Sequence, residues 1–131
     1  MEFAVIIAGT RTFEDYELLC RECDIFFLQK KPTHIICGEA RGADTLGKKY
    51  AEERGIPVLS FPADWKAHGK AAGYIRNKQM AERGDALVAF WDGKSRGTKN
   101  MIDLAHKANI PVRVVRYDQV AERVPDSLRK G

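Results

Sequence analysis

Five runs of strand length recur along this 131-residue chain, at 3–8, 34–37, 58–61, 86–91 and 112–115, and each is β-branched or aromatic and apolar almost without interruption. A strand with one face in water alternates apolar and polar residues, so continuous runs belong to strands covered on both faces. The segments between them carry helical periodicity instead. The first spans 13–28, with Phe13, Leu18 or Leu19, Cys23, Phe26 and Phe27 toward a core and Thr12 and Asp15 as candidate starts. The second spans 43–54 and stops at Gly55 before Ile56-Pro57, the third spans 72–83 and stops at Gly84, and the fourth spans 98–108 and ends at Asn109-Ile110-Pro111. Strand and helix in alternation require parallel strands joined by right-handed crossovers. The expected fold is α/β, a single-domain Rossmann-like three-layer sandwich of about five parallel strands with helices on both faces. That domain occupies 1–116, and the charged stretch 117–131, which contains Pro125, is expected as a short C-terminal helix or tail.

A domain of this length buries roughly 65–70% of its unfolded surface and needs no disulfide or metal to fold. No apolar run approaches the ~18–20 residues of a membrane span. The start, Met1-Glu2-Phe3-Ala4-Val5-Ile6-Ile7-Ala8, lacks the basic flank and cleavage site of a signal peptide, so a cytoplasmic location without a membrane partner is the expectation. Cys20 and Cys23 have CxxC spacing, but no second ligand pair accompanies them; they read as small hydrophobes on a helix, with Cys37 in a buried strand. His34, His68 and His106 are scattered, and only His68 falls in a candidate ligand loop. No metal and no cofactor are expected. The excess of 22 Lys+Arg over 18 Asp+Glu, a net +4, is mild beside the basic stripes of dedicated DNA binders.

In an open α/β sheet, ligands bind beyond the carboxyl ends of the strands. After the first strand comes Gly9-Thr10-Arg11-Thr12-Phe13, and after the second Gly38-Glu39-Ala40-Arg41-Gly42-Ala43-Asp44. After the third comes Pro62-Ala63-Asp64-Trp65-Lys66-Ala67-His68-Gly69-Lys70, and after the fourth Asp92-Gly93-Lys94-Ser95-Arg96-Gly97-Thr98. The connections on the opposite edge, such as Arg54-Gly55-Ile56-Pro57, are ordinary turns. Glycines just after a strand let backbone approach a ligand and leave helix N–H groups aimed at it, where the helix dipole favours an anion. Arg11, Arg41 and Arg96 add forks suited to phosphate. The ligand so described is a phosphorylated small molecule. At about ten residues, the connection after the third strand exceeds the usual 2–6, which suits a lid. In it Trp65 is placed either to stack on a base or to anchor the loop, with Lys70 and Arg76 facing phosphate and Asn77 polar and inward. Neither G-x-x-x-x-G-K-[ST] nor G-x-G-x-x-G occurs, and no serine sits in a G-x-S-x-G elbow, which argues against P-loop NTPases, conventional NAD dehydrogenases and α/β-hydrolases.

Laid out in order, Gly9-Thr10-Arg11-Thr12-Phe13, the 38–44 loop, Ala63-Asp64-Trp65, His68-Gly69-Lys70-Ala71-Ala72-Gly73, Arg76-Asn77-Lys78-Gln79-Met80 and the 93–98 loop resemble the SLOG superfamily, and more closely its YspA/YpsA-related branch of bacterial and phage proteins. The resemblance runs from residue 9 to about 105, and it implies a Rossmann-like fold with a pocket for a nucleotide or nucleotide-derived ligand. Superfamily relatives include the LOG nucleotide phosphoribohydrolases and the DNA-processing DprA proteins. In the LOG enzymes an arginine on the helix before the fourth strand works with the glutamate of P-G-G-x-G-T-x-x-E. Arg76 looks like that arginine, but Gly93-Lys94-Ser95-Arg96-Gly97-Thr98 is longer than G-G-x-G-T, and Met101 stands where the glutamate would be. Breaking an N-glycosidic bond calls for a carboxylate, which Met101 cannot supply. Glu39 and Asp44 are the substitutes at hand. Asp44 also reads as a first-turn helix acid, so Glu39 is the preferred acid or base.

Three functions follow as alternatives. The first is a binding or sensing module for a nucleotide-like ligand held by Gly9, Thr10, Arg11, Gly38, Arg41, Gly42, Trp65, Lys70, Asn77, Gly93, Ser95, Arg96, Gly97 and Thr98. The second is a phosphoribohydrolase-like enzyme using Arg76 with Glu39 or Asp44. The third is single-stranded nucleic-acid binding, with Lys66, Lys70, Lys94, Arg96 and Lys99 tracking a backbone. Homodimerisation is a further expectation, with Tyr16, Phe26, Phe27 and Trp91 as apolar material that a core also claims.

Overall fold

The computed structural model describes residues 1–120. Strands β1 (Ala4–Gly9), β2 (His34–Cys37), β3 (Val58–Ser60), β4 (Ala86–Trp91) and β5 (Val112–Arg116) form one sheet in the order β3-β2-β1-β4-β5, every neighbouring pair parallel. The helices are α1 (Tyr16–Phe26), α2 (Ala43–Glu53), α3 (Trp65–His68), α4 (Ala72–Arg83), α5 (Arg96–Lys107) and α6 (Tyr117–Val120). The fold is thus the expected single-domain, Rossmann-like α/β sandwich.

Alternate residues of the central strands feed two cores. Val5, Ile7, Val88 and Phe90 meet Leu18, Leu19 and Cys23 of α1 and Tyr50 and Ala51 of α2. Ala4, Ile6, Leu87 and Ala89 meet Met80 and Ala81 of α4 and Met101, Ile102 and Ala105 of α5. Burial on both sides is why the strand sequences show no polar alternation. The chain runs outward through β1, β2 and β3 with α1 and α2 on one face, then crosses back beneath the sheet to set β4 against β1. Right-handed crossovers in two directions place the two helix pairs on opposite faces and open a crevice between the carboxyl ends of β1 and β4.

Several elements depart from the sequence expectations. Helix α1 begins at Tyr16, because the Asp15 carboxylate accepts from Leu18 N at 3.0 Å; Phe13 lies ahead of the helix and reaches the core by stacking on Phe90, centroids 5.0 Å apart. Helix α5 begins at Arg96, two residues earlier than expected, capped by Ser95 Oγ on Thr98 N at 3.3 Å, so Gly97 and Thr98 are helical. The connection after β3 is not a bare loop. Asp64 caps α3 through Ala67 N at 3.0 Å, and a 3₁₀ turn over Gly69–Ala71 leads directly into α4.

Tyr117 of α6 packs on Phe13, ring centroids 4.8 Å apart. The rest of the expected C-terminal tail, 121–131, lies outside the described residues. Phe27 is buried in the first core with Tyr16 and Phe26 packed against it, and Trp91 packs against the second. Cys23 and Cys37 are fully buried, and burial pushes the Cys37 thiol up to about 12. Among the described residues no helix is long and apolar enough to cross a membrane, and no group of three His, Cys, Asp or Glu side chains gathers to hold a metal ion.

Candidate functional site

The crevice between β1 and β4 is shaped by close backbone approach. Gly9 sits opposite Phe90 in the ladder, and a Cβ there would strike the Phe90 carbonyl and come 2.8 Å from the Ala43 Cβ. Thr10 continues the contact by donating its N–H to Phe90 O at 2.9 Å, while its hydroxyl accepts from Asp92 N at 3.2 Å. Asp92 in turn accepts from the N–H groups of Lys94 and Ser95, both at 2.8 Å, a tight Asx turn that sets the start of α5. Although slight burial works against ionisation, those hydrogen bonds hold the Asp92 carboxyl below its ordinary value.

Arg76, one turn into α4, is only 8% exposed. Its Nη1 donates to the carbonyl of Gly38, with a second, longer contact to Phe61 O at 3.4 Å, and its Nε donates to Asn77 Oδ1 at 3.0 Å. All three acceptors are neutral. None of these bonds uses Nη2, which lies 4.0 Å from where a Cβ on Gly73 would stand, and Gly73 and Arg76 both line the cleft. Burial pushes the guanidinium pKa down; the Asp44 charge works against that shift and the Arg11 charge adds to it. Asn77 completes the arrangement by donating from Nδ2 to Gly97 O at 3.2 Å and to Asn100 Oδ1 at 3.0 Å, which fixes α4 to the first turn of α5.

Asp44 is 5% exposed in the first turn of α2. Burial raises its pKa to about 6, against the lowering effect of a hydrogen bond from Ala40 N and of the Arg76 and Arg11 charges. The Ala40 N–H reaches Oδ2 at 3.1 Å. Gly38 lies between the two buried charges: a Cβ there would stand 2.8 Å from both Arg76 Cζ and Asp44 Oδ2. Only glycine leaves both groups in place.

The cleft consists of two adjoining chambers. The first, about 260 Å³, lies over the β1–β4 crevice and is lined by Gly9, Arg11, Asp44, Trp65, Lys70, Arg76, Asn77, Gly97 and Thr98, all expected from sequence. Ala8, Ala40, Gly73, Tyr74, Met80 and Met101 complete its wall. The second, about 350 Å³, lies between the loops after β2 and β3 and includes Arg11, Gly38, Glu39, Arg41, Trp65 and Arg76 together with Ala40, Pro62 and Ala63. Glu39 and Asp44 are therefore separated: Asp44 lines the chamber of Asn77 and Thr98, whereas the exposed Glu39, with φ at 61°, lines only the other.

Five expected residues line neither chamber. Thr10 is buried behind the wall, Gly42 forms the left-handed entry to α2 at φ 76°, and Ser95 is spent on its cap. Gly93, at φ 81°, faces the Arg116 guanidinium. Arg96 is exposed on α5, and Lys94 is exposed beside it; Lys99 pairs with Asp103 at 2.9 Å. His68 is exposed outside both chambers, and His34 Nδ1 lies 3.1 Å from Thr33 Oγ1.

A family model, YAcAr, described as the YspA, cpYpsA-related SLOG family, matches residues 3–68, from β1 through α3. It takes in the loops of Gly9 and Gly38 and the Trp65 helix. The Gene 61 protein of Mycobacterium phage D29 is 36% identical over 120 residues, which cover 82% of this chain and 92% of that protein. No solved structure matches the chain significantly.

Proposed function

This chain belongs to the YspA, cpYpsA-related SLOG family, and on that premise we propose that it binds a nucleotide or nucleotide-derived phosphorylated ligand at the carboxyl edge of its sheet, as a sensor or ligand-processing module. The observation that carries the reading is Arg76. A buried guanidinium whose hydrogen-bond acceptors are all neutral, and which the Asp44 charge offsets only in part, is an incompletely compensated charge, and a phosphate relieves it with charge-assisted bonds. Arg11 and Lys70 share that chamber and add to its positive potential. Trp65, 51% exposed on its rim, offers an aromatic face for a base.

Thermal denaturation with a panel of nucleoside mono- and diphosphates tests the reading. A ligand at 100 times its Kd adds about 2.7 kcal/mol of apparent stability, so binding raises Tm by several degrees. A panel without any shift rejects the reading.

N-glycosidic hydrolysis is a second reading, and Asp44 is the observation that favours it. A carboxyl group with pKa raised by burial to about 6, in the same chamber as Arg76, is suited to proton transfer near neutral pH. Met101 occupies the wall of that chamber with no acid to offer. This geometry favours Asp44 over Glu39 as the acid or base. The expected result is release of free base from a nucleoside monophosphate, abolished in Asp44→Asn with the fold retained; no release from any of the four common monophosphates leaves binding alone.

A further inference from the structure

The two chambers share a single partition made of Arg11, Ala40, Trp65 and Arg76, so two arginines stand where the chambers meet, with Lys70 in the first chamber and Arg41 in the second. We propose, resting on the nucleotide reading above, that the ligand is a two-armed nucleotide, a nucleoside diphosphate esterified to a second polar group, whose pyrophosphate lies at the Arg11 and Arg76 junction and whose arms enter the two chambers on either side of Trp65.

Three features carry this. Arg11 and Arg76 are close enough that the charge of one lowers the pKa of the other, and an anion lying between them turns that repulsion into two attractions. A mononucleotide with its phosphate at the junction occupies one chamber and leaves the other filled with water. At about 260 and 350 Å³, one chamber lies just below and the other just above the low end of the roughly 300–1,000 Å³ typical of small-molecule pockets, so the two together fit a longer ligand better than either does alone. Each chamber also brings one carboxylate, Asp44 in the first and Glu39 in the second, and carboxylates accept hydrogen bonds from the hydroxyls of ribose or another sugar. Glu39 holds a left-handed backbone conformation, φ 61°, of the kind that persists where surrounding structure demands it. A long polyanion threaded through both chambers would have to pass Asp44 on one side of the junction and Glu39 on the other, which disfavours it.

Calorimetric titration of the whole chain with AMP against ADP-ribose, and with GMP against GDP-mannose, tests the proposal. In at least one base series the two-armed compound is expected to bind about tenfold or more tightly than its monophosphate, about 1.4 kcal/mol. Ala63→Trp, which fills the second chamber only, brings that ratio toward one; Arg41→Ala, at the same chamber, lowers it as well and serves if the tryptophan variant does not fold. Equal affinities in both series overturn the two-armed ligand and leave the nucleotide reading standing. A ratio unchanged in both variants overturns the assignment of the second chamber. Absence of binding by all four compounds overturns the nucleotide reading itself and this inference with it.

Discussion

Arg54, at the end of α2 on the amino edge of the sheet, and Arg76, on α4 at the carboxyl edge, each lie near an aspartate, yet their surroundings differ in kind. Arg54 stacks over the Tyr50 ring, 3.8 Å from its centroid, and meets Asp24 at 3.4 Å, while Tyr50 donates to the same carboxylate at 2.6 Å. Although partial burial opposes it, Tyr50 and Asp24 hold Arg54 more basic than usual. Arg76 is pushed the other way by burial, with three neutral acceptors and Arg11 nearby. The cavity beside Arg54 is lined by Phe27, Leu28, Pro32, Tyr50 and Ile56 together with Lys31 and the pair of Arg54 and Asp24, so the charge of Arg54 itself is already spent within a mostly apolar groove. An arginine marks an anion site when the carboxylate near it offsets its charge only in part and forms no ion pair with it.

The largest expected effect separates these two arginines. Arg76→Ala removes the ligand-induced rise in Tm altogether, and leaves the Gly38 carbonyl without its donor at a cost of about 1–3 kcal/mol. Arg54→Ala breaks a partly exposed pair worth no more than about 1 kcal/mol and keeps the ligand response intact. Loss of the response in both variants erases the contrast between the edges.

The next effect concerns Asp44. Its folded-state pKa of about 6 exceeds the ordinary 3.8 of an aspartate, so between about pH 4 and 6 the folded chain holds a proton that the unfolded chain has released. Stability from this group is fully present below about pH 4 and declines as pH rises through 6, by on the order of 3 kcal/mol. Asp44→Asn keeps an acceptor for Ala40 N and removes the titration. Urea denaturation between pH 4 and 7 is expected to show the variant gaining on the wild type by that amount as pH rises. A constant difference across the window means the carboxyl is solvated, and the charge contrast with the amino edge is then smaller than the geometry indicates.

How far sequence reading reached follows from the range of the interactions involved. Helix α4 runs over Ala72–Arg83 as its periodicity and Gly84 predict, because an amphipathic segment with a glycine stop is encoded locally. Helix α3 is four residues long, too short for periodicity, and only Asp64 as a cap announces it. The start of α5 was obscured by Gly93 and Gly97, which read as loop; side-chain bonds from Asp92 and Ser95 set it instead. Within the site, Gly9, Arg11 and Arg76 were legible from their positions after strands and from the SLOG resemblance. That Arg76 reaches the Gly38 carbonyl across 38 residues was not, since such a bond exists only once β2 and α4 are docked. Arg96 and Gly97 look interchangeable in a basic loop, but on a helix each residue turns about 100° from the last, and only Gly97 lines the cleft. Met80, buried, and Tyr74, exposed, carried no sign of a pocket role in the sequence and share a wall only once the cleft is formed.

The smallest effect compares two glycines with equal space around them. A Cβ at Gly97 or at Gly55 would meet no heavy atom within 4 Å, so sterics alone predict that alanine is tolerated equally at both edges. The backbones say otherwise. Gly97 is in the first turn of α5, where replacing glycine by alanine lowers the entropy of the unfolded chain and adds about 0.5–1 kcal/mol, roughly 2–4 °C in Tm. Gly55 has φ at 66°, a left-handed conformation that costs an alanine roughly 1–2 kcal/mol. Gly97→Ala is thus expected to stabilise the protein and Gly55→Ala to destabilise it, in a single thermal-denaturation comparison without ligand. With ligand the order changes, because Gly97 lines the first chamber and its new methyl group occupies volume meant for the nucleotide. The stabilised variant then loses several-fold in affinity while Gly55→Ala binds as the wild type does. A Gly97→Ala protein that is both more stable and unimpaired in binding means the ligand does not approach the start of α5, and its phosphate must then be held by Arg11 and Arg76 alone.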